Sequence, residues 1–344
     1  MKLDKLTEEL IAIESVTGEE NKILDFIEQY LNTSQFSGEV IRNSGGIIAY
    51  HPSVSQQIAL VGHVDTVPID SNQIYMTDTT KIYGRGSVDM KSGIAVMLEV
   101  LSNNFQNVVA VFYTAEEGPM VNNGLEELMP ILKKDFDIDF AVILEPTNGE
   151  VQLGCLGSVN ADLKITGKSA HSARPWMGEN PILKLSEVIN FIQNNEIQEH
   201  IIDGLTYKQI ITLTTISGGS ANNVIPSHIN LNINFRFLPT QSEEQAANFI
   251  TDTFSEYGEV SIKNTSNGAL PNLQSVKIKD FINTTGAEVT PKQAWTDIAR
   301  FSYENIPAVN FGPGDPLLAH SPDEFVNTSQ IVESYESIVE YLKG

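Results

Sequence analysis

The chain has a single cysteine, Cys155, in 344 residues, so no intrachain disulfide can form and a reducing, cytoplasmic setting is expected. Long apolar runs are missing too: none approaches the ~18 residues that a membrane span needs. The start, Met1-Lys2-Leu3-Asp4-Lys5, lacks the apolar block of a secretion signal. Cations are scarce, 21 Lys and Arg against 44 acids, for a formal net charge of −23. That field repels nucleic-acid phosphates and anionic membranes, so neither is an expected partner. It would also repel an anionic small molecule, unless cations are gathered locally. With 41% hydrophobic and 19% charged residues, the composition is that of a folded globular protein, long enough for one large or two ordinary domains.

The chain is organised around Leu60-Val61-Gly62-His63-Val64-Asp65-Thr66-Val67-Pro68. An apolar run, Ile58 to Val61, stops at a histidine, an acid and a proline, as a buried parallel strand does where its carboxyl end opens into a loop. His63 and Asp65 are two apart and share a side of extended backbone. Asp65 can reach the second ring nitrogen of His63 only through a bend after Gly62; otherwise it holds the ring from its flank. A strand-end His-x-Asp alone is equally a capped loop with a satisfied histidine.

Residues 4 to 31 read as two helices broken at Ser15 to Glu19, the second capped by Thr17. Residues 38 to 50 and 56 to 62 read as strands, and Asp70 to Lys81 as a surface loop. Gly84-Arg85-Gly86-Ser87-Val88-Asp89-Met90-Lys91-Ser92-Gly93 approaches two phosphate-binding patterns and fits neither. Met90 stands where a P-loop needs glycine, and Asp89 where a dinucleotide fingerprint needs its third. An apolar helix, Ile94 to Leu101, follows, and capping it is the plain alternative role for Asp89. Two more buried strands end in acids: Val108 to Tyr113 before Glu116-Glu117-Gly118, and Phe140 to Leu144 before Glu145-Pro146. Ligands of open α/β sheets gather outside the carboxyl ends of strands, where all these groups would sit. From about Gly157 to Lys263 the pattern changes to two-period strands (159–165, 207–216, 228–237) and helices (181–194, 242–257), an antiparallel α+β insert. From about Leu270 the chain rejoins the first domain, passes Trp295-Thr296-Asp297 and His320, and closes on a helix from Ser329 to Leu342.

Gathered together, the strand-end groups are His63, Asp89, Glu117, Glu145 and His320. Two imidazoles and three carboxylates suit a pair of zinc-like ions in which one aspartate bridges and each ion takes one His and one Glu. Such pairs are a recurrent hydrolytic device. Glu116 and Glu117 are adjacent, so a strand would send one to a metal and the other to a reacting water as general base. Spacing does not say which does which.

His63-x-Asp65, Gly84-Arg85-Gly86-x-x-Asp89-Met90-Lys91, Glu116-Glu117-Gly118, Glu145-Pro146 and a late His320 resemble, in the same order from about Lys5 to Tyr341, the co-catalytic zinc aminoacylase/carboxypeptidase family. The resemblance implies a zinc-exopeptidase-like α/β fold with a mixed, mostly parallel central sheet flanked by helices. Residues 1–156 and 268–344 would form the catalytic domain, and 157–267 an inserted α+β lid that commonly dimerises. It implies two divalent ions, zinc first, with cobalt or manganese also accommodated. Asp89 would bridge them, His63 and Glu145 would hold one and Glu117 and His320 the other, with Glu116 as general base and Asp65 orienting His63. Glu rather than Asp at 145 resembles the deacylase and carboxypeptidase branches more than the aminopeptidases. Ser92 departs from the glycine many members carry, which a helix start accepts.

In the insert, Ser169-Ala170-His171-Ser172-Ala173-Arg174 resembles the family segment whose histidine reaches across a dimer to the reaction's oxyanion, a role for His171. Asn223, before Val224-Ile225-Pro226, matches a substrate-contacting asparagine. Arg236 and Arg174 are the candidate receivers of a substrate carboxylate, with a surface salt bridge the plain alternative for Arg174. The expected substrate is a small anionic N-acyl amino acid cleaved at its linear amide. An additional acyl carboxylate would call for an additional cation, from Arg300 or Arg174. An acetyl-amino-acid deacetylase or a carboxypeptidase is the nearest alternative. A non-catalytic metal-binding relative is disfavoured because Glu116 and all five ligand types are present.

Overall fold

The computed structural model describes residues 3–52 and 56–344, so Met1 and Lys2 of the N-terminal stretch lie outside the described residues. The chain divides into two compact units: one of residues 1–153, 272–290 and 300–344, the other of 154–271 and 291–299.

The first unit opens with helices α1 (Leu3–Ile11) and α2 (Asn21–Thr33), a hairpin of β1 (Glu39–Asn43) and β2 (Gly46–Tyr50), and then β3 (Gln56–His63). Short strands β4 (Met76–Thr77) and β5 (Lys81–Tyr83) follow, inside and at the end of the stretch expected to be a loop. Helix α3 (Lys91–Ser102) leads to β6 (Val108–Tyr113), α4 (Leu125–Asp135), β7 (Asp137–Ile143) and β8 (Val151–Leu153). Helix α3 is largely apolar and is buried from Lys91 to Leu98, as a helix enclosed by neighbours must be. It packs on β3 and β6 and against α1, α2 and the closing helix.

The second unit holds β9 (Gly157–Thr166), β10 (Ala170–His171), α5 (Pro181–Asn195), β11 (Ile197–Ile202), β12 (Leu205–Gly218), β13 (Val224–Ile225), β14 (His228–Phe237), α6 (Glu243–Phe254) and β15 (Glu259–Ser266). Five of these strands form an antiparallel sheet in the order β11-β12-β14-β9-β15. Alternate residues of β9 and β14, among them Ala161, Leu163, Leu231 and Phe235, share one core with Val188 and Ile192 of α5 and Ile250 and Phe254 of α6. Helix α6 begins in a capping box, Ser242 with Gln245. Residues 291–299, expected with the outer portions of the chain, cluster here instead. The Gln293 side chain donates to the Thr206 carbonyl and accepts from the Lys208 amide, and the Trp295 indole donates to the Asn267 carbonyl.

The chain ends with α7 (Val276–Thr285), β16 (Val289–Pro291), α8 (Ile298–Tyr303), β17 (Ala308–Asn310), β18 (Phe325–Asn327) and α9 (Thr328–Lys343). The eight-stranded sheet runs β1-β2-β6-β3-β7-β17-β8-β16. Its central members β6, β3, β7 and β17 are parallel, while β2 and β8 attach antiparallel. It is the mixed, centrally parallel sheet that the resemblance implies. Strands β6, β3 and β7 are immediate neighbours, so their carboxyl ends open side by side.

One close approach sets the depth of α3 against that edge. A Cβ on Gly93 would lie 2.5 Å from the Leu144 carbonyl oxygen, so only glycine lets the helix start reach the end of β7. An exposed helix would gain about 1 kcal/mol from Gly→Ala. Here Gly93→Ala is expected to destabilise the fold by about 1–3 kcal/mol, because the neighbour is backbone and cannot swing aside. Denaturant unfolding of the metal-free protein reads the sign directly.

Candidate metal centre

Seven side chains of the first unit converge at the carboxyl ends of β3, β6 and β7. His63 closes β3, in register with Tyr113 of β6, and is buried. Its Nδ1 lies 3.0 Å from the backbone carbonyl oxygen of Asp65 and 3.5 Å from Asp65 Oδ1. A carbonyl only accepts, so Nδ1 carries the proton and the Nε2 lone pair faces outward. Nε2 then meets Asp89 Oδ1 at 3.1 Å and Glu145 Oε1 at 3.8 Å. A lone pair against two carboxylates is repulsive unless a proton or a cation lies between them. His320 Nε2 lies 2.8 Å from Glu117 Oε1 and 3.4 Å from Asp89 Oδ2. Asp89 therefore offers one oxygen to each histidine.

Three overlapping groups have ligand atoms within 4.8 Å of one another: His63 with Asp89 and Glu145, Asp89 with Glu117 and His320, and His63 with Glu116 and Glu117. The electrostatics agree with the geometry. Hydrogen bonds to Asp89 and Glu117 raise the His320 pKa to about 10. Burial alone would lower that of His63, yet Asp65 and Asp89 raise it well above the ordinary imidazole value. Burial would likewise raise Asp89, but His320 and His63 hold it well below the usual carboxylate range. Counting Asp65 and Glu116 with the other acids, five carboxylates face two imidazoles, so the cluster stays negative even with both rings protonated. Such a donor set fits divalent cations.

Several local expectations change in the fold. Asp89 does not cap α3: Met90 occupies that position, without a side-chain cap, and the Asp89 carboxylate turns to the histidines. Thr17 does not cap α2, which starts after Glu20. Its hydroxyl donates instead to Asp65 Oδ2 at 2.8 Å. Glu116 and Glu117 are not strand residues; β6 ends at Tyr113, and Ala115 turns the chain with φ +56°. What separates the two glutamates is a loop whose amides both bond Asp65, Glu116 N–H to Oδ1 at 3.0 Å and Glu117 N–H to Oδ2 at 3.1 Å. Burial would raise the Asp65 pKa, but His63, Thr17 and these donors keep it below its ordinary value. Asp65 thus anchors the glutamate loop as well as flanking His63.

Three positioning residues were given no role of their own by the sequence. Buried Glu20 accepts the Gly18 and Ala115 amides at 2.9 and 3.2 Å. Arg85 and Glu324, both buried, form a 2.7 Å ion pair beside Asp89 and His320. Arg85 stood out only as part of a glycine pattern, and Glu324 only as one acid among many.

Among the substrate candidates, Arg300 belongs to the first unit. Its guanidinium pairs with Glu126 of α4; burial lowers its pKa, and Tyr113 and Glu116 act on it in the opposite direction. His171, Arg174, Asn223 and Arg236 lie in the second unit. There β10 pairs with β13, the Ser172 amide donates to the Asn223 carbonyl at 2.9 Å, and the Arg174 amide to the His171 carbonyl at 2.8 Å. Ring atom Nδ1 of His171 accepts from the Ala173 amide at 3.1 Å. Arg236 is half-buried on β14, in register with Ser158 and Ile210, and burial lowers its pKa. Among the described residues neither Arg174 nor Arg236 makes an ion pair.

Five carboxylates and two histidines thus gather outside the carboxyl ends of parallel strands in an open α/β sheet, the edge at which such sheets bind ligands. The model of peptidase family M20/M25/M40 matches residues 59–344, and the chain belongs to that family. It is 37% identical over 346 residues to a putative succinyl-diaminopimelate desuccinylase of Mycobacterium tuberculosis, covering 99% of this chain and 98% of the relative. A succinyl-diaminopimelate desuccinylase of Corynebacterium glutamicum is 35% identical over 350 residues, covering 98% and 95%. A tripeptidase structure from Staphylococcus aureus matches the fold with a TM-score of 0.81 at 22% identity, covering 99% and 97%.

The anchoring role of Asp65 is testable through its partner. Thr17→Val removes one donor from a buried carboxylate and is expected to cost about 1–3 kcal/mol in denaturant unfolding. A negligible change would return Thr17 to an ordinary loop residue.

Proposed function

We propose that the chain hydrolyses the amide bond of N-succinyl-L,L-diaminopimelate, giving succinate and L,L-diaminopimelate, a step of lysine and cell-wall biosynthesis. The observation that carries the chemistry is Asp89, with one carboxylate oxygen 3.1 Å from one histidine and the other 3.4 Å from the second. The choice of substrate rests on the full-length similarity to two desuccinylases. Ala173 to Asn180, Ala294 to Phe301 and Val309 to His320 also resemble the actinobacterial type of that enzyme.

In this reading His63, Asp89 and Glu145 hold one divalent ion and Asp89, Glu117 and His320 a second, zinc first, with cobalt or manganese accepted by the same donors. When bound, the ions supply Lewis-acid polarisation of the amide carbonyl and acidify the attacking water. Glu117 lies 2.8 Å from His320, which favours it as ligand and leaves Glu116 as general base. Glu116 takes the proton of the water and returns it to the leaving nitrogen, worth about 10²–10⁴ in rate. Asp65 fixes the loop from which Glu116 acts. His171 donates to the developing oxyanion, a kind of contact worth about 2.7–4 kcal/mol. Arg174, Arg236 and Asn223 receive the substrate, and Arg300 or Arg174 the succinyl carboxylate.

We read the protein as a cytoplasmic homodimer joined through the second unit. Its edge strand β11 exposes Ile197 and Ile201, at 57% and 77%, an apolar edge that a second copy would cover. None of the helices described is long and apolar enough to cross a membrane.

The deciding assay is amine release from N-succinyl-L,L-diaminopimelate, N-acetyl-ornithine and N-acetyl-lysine at equal concentration. Expected is a preference for the succinyl substrate that a chelator abolishes and added zinc restores. Preference for an acetyl substrate would keep the chemistry and replace the substrate. Glu116→Gln is expected to retain bound metal while turnover falls about 10²–10⁴-fold. Near-normal turnover in that variant would remove Glu116 from the base role. His171→Ala is expected to lower turnover with metal content unchanged, and unaltered kinetics would leave it a loop histidine.

A further inference from the structure

The two halves of the cluster are held in different ways. His63 terminates a central strand, and Glu145 follows Leu144, whose amide donates to the Val61 carbonyl at 2.9 Å, so both are fixed by the sheet. His320 has no such support. It sits in a loop just past the short turn Pro316–Leu318, in the left-handed region at φ +66°, with its side chain half exposed.

What fixes the His320 backbone is a buried network reaching back to the Asp89 loop. Arg85 Nη2 donates to the His320 carbonyl at 3.2 Å, while Nη1 bonds Glu324 Oε2 at 2.7 Å. The other oxygen, Glu324 Oε1, accepts the Val88 amide at 2.9 Å and the Asp89 amide at 3.2 Å. The Gly84 amide adds a bond to the Glu324 carbonyl at 3.1 Å. One carboxylate and one guanidinium therefore join the backbone of the shared aspartate to the backbone of the loop histidine. Glu324 is 0% and Arg85 4% exposed. Burying two charges is a poor way to gain stability alone, since matched apolar residues often do as well. The planar guanidinium fork instead fixes the spacing of the groups it joins, which an apolar contact does not.

We propose that Arg85 and Glu324 are a positioning pair that sets the affinity of the half-site formed by Asp89, Glu117 and His320, leaving the half-site of His63 and Glu145 to the sheet. The proposal rests on the two-ion reading above. Asp89 serves both ions but His320 only one, so damage to the pair is expected to weaken that one more than the other.

The test is a titration of the metal-free protein with cobalt(II), followed by calorimetry and by the visible absorption of the bound ion. Glu324→Gln leaves one acceptor oxygen, so either an NH2 faces Arg85 or an NH2 faces the Val88 and Asp89 amides, and one side of the network is lost. One of its two equivalents is expected to bind about 10–100-fold more weakly, the usual cost of losing a partner behind a metal ligand, with the other weakened less. Arg85→Lys keeps the charge and loses the fork; a smaller loss in the same equivalent is expected, and this variant carries the test if Glu324→Gln does not fold. Equal weakening of both equivalents, or no weakening of either, would overturn the proposal. A wild-type protein that takes up fewer than two equivalents would instead overturn the two-ion reading itself, and the pair's role with it.

Discussion

Mutual repulsion among carboxylates is the constraint that shapes the carboxyl edge of this protein's central sheet. Asp65, Asp89, Glu116, Glu117 and Glu145 crowd the ends of three adjacent strands, where like charges repel. The fold answers with backbone amides. Asp65 takes those of Glu116 and Glu117, Glu20 takes that of Ala115, and Glu324 takes those of Val88 and Asp89. Three buried carboxylates thus anchor the loops that carry the other acids. Hydrogen bonds from backbone to an ionised group are among the stronger available, and they are made at fixed positions.

Much of this was legible in the sequence, for physical reasons that can be named. Strand β6 and helix α3 are nearly unbroken apolar runs because both are enclosed, and enclosure leaves a continuous signal. The acids after β6 and β7 and His63 after β3 could be gathered because parallel strands bring like ends together. Strands β11 and β15 were not legible: their burial alternates weakly at the edges of the antiparallel sheet, where polar residues cost little. Nor could the anchors be read. Thr17 and Asp65 are 48 residues apart, and Arg85 and Glu324 are 239 apart, and nothing in local pattern marks such a pair. Where local rules did offer a role, they offered the wrong one: Thr17 and Asp89 both look like helix caps and neither is.

The acidity of the chain bears on its substrate. A net charge of −23 opposes the approach of an anion, so recognition has to come from cations that remain available to it. Arg174 and Arg236 have no carboxylate partner among the described residues, unlike Arg42 and Arg85, whose charges are spent on Asp25, Glu28 and Glu324. Arg300 stands between these cases, paired with Glu126 yet within electrostatic reach of Glu116.

The residues of the cluster differ in what supports them. His63 and Glu145 are extensions of sheet strands, and α3 approaches them closely only because Gly93 lets it touch the Leu144 carbonyl. Any change there disturbs the core. Glu116, Glu117 and His320 are loop residues held by a few long-range hydrogen bonds, and the loops around them carry little of the core. His63 and Glu145 are thus held by the sheet, and Glu116, Glu117 and His320 by long-range hydrogen bonds between loops. The positive φ of Ala115 and of His320, both non-glycine residues, falls in this loop-borne half, and in each case the chain turns there so that a glutamate or an imidazole faces Asp89 or Asp65's partners. Backbone of that kind persists only where surrounding hydrogen bonds over-determine it, which is what the three anchoring carboxylates provide.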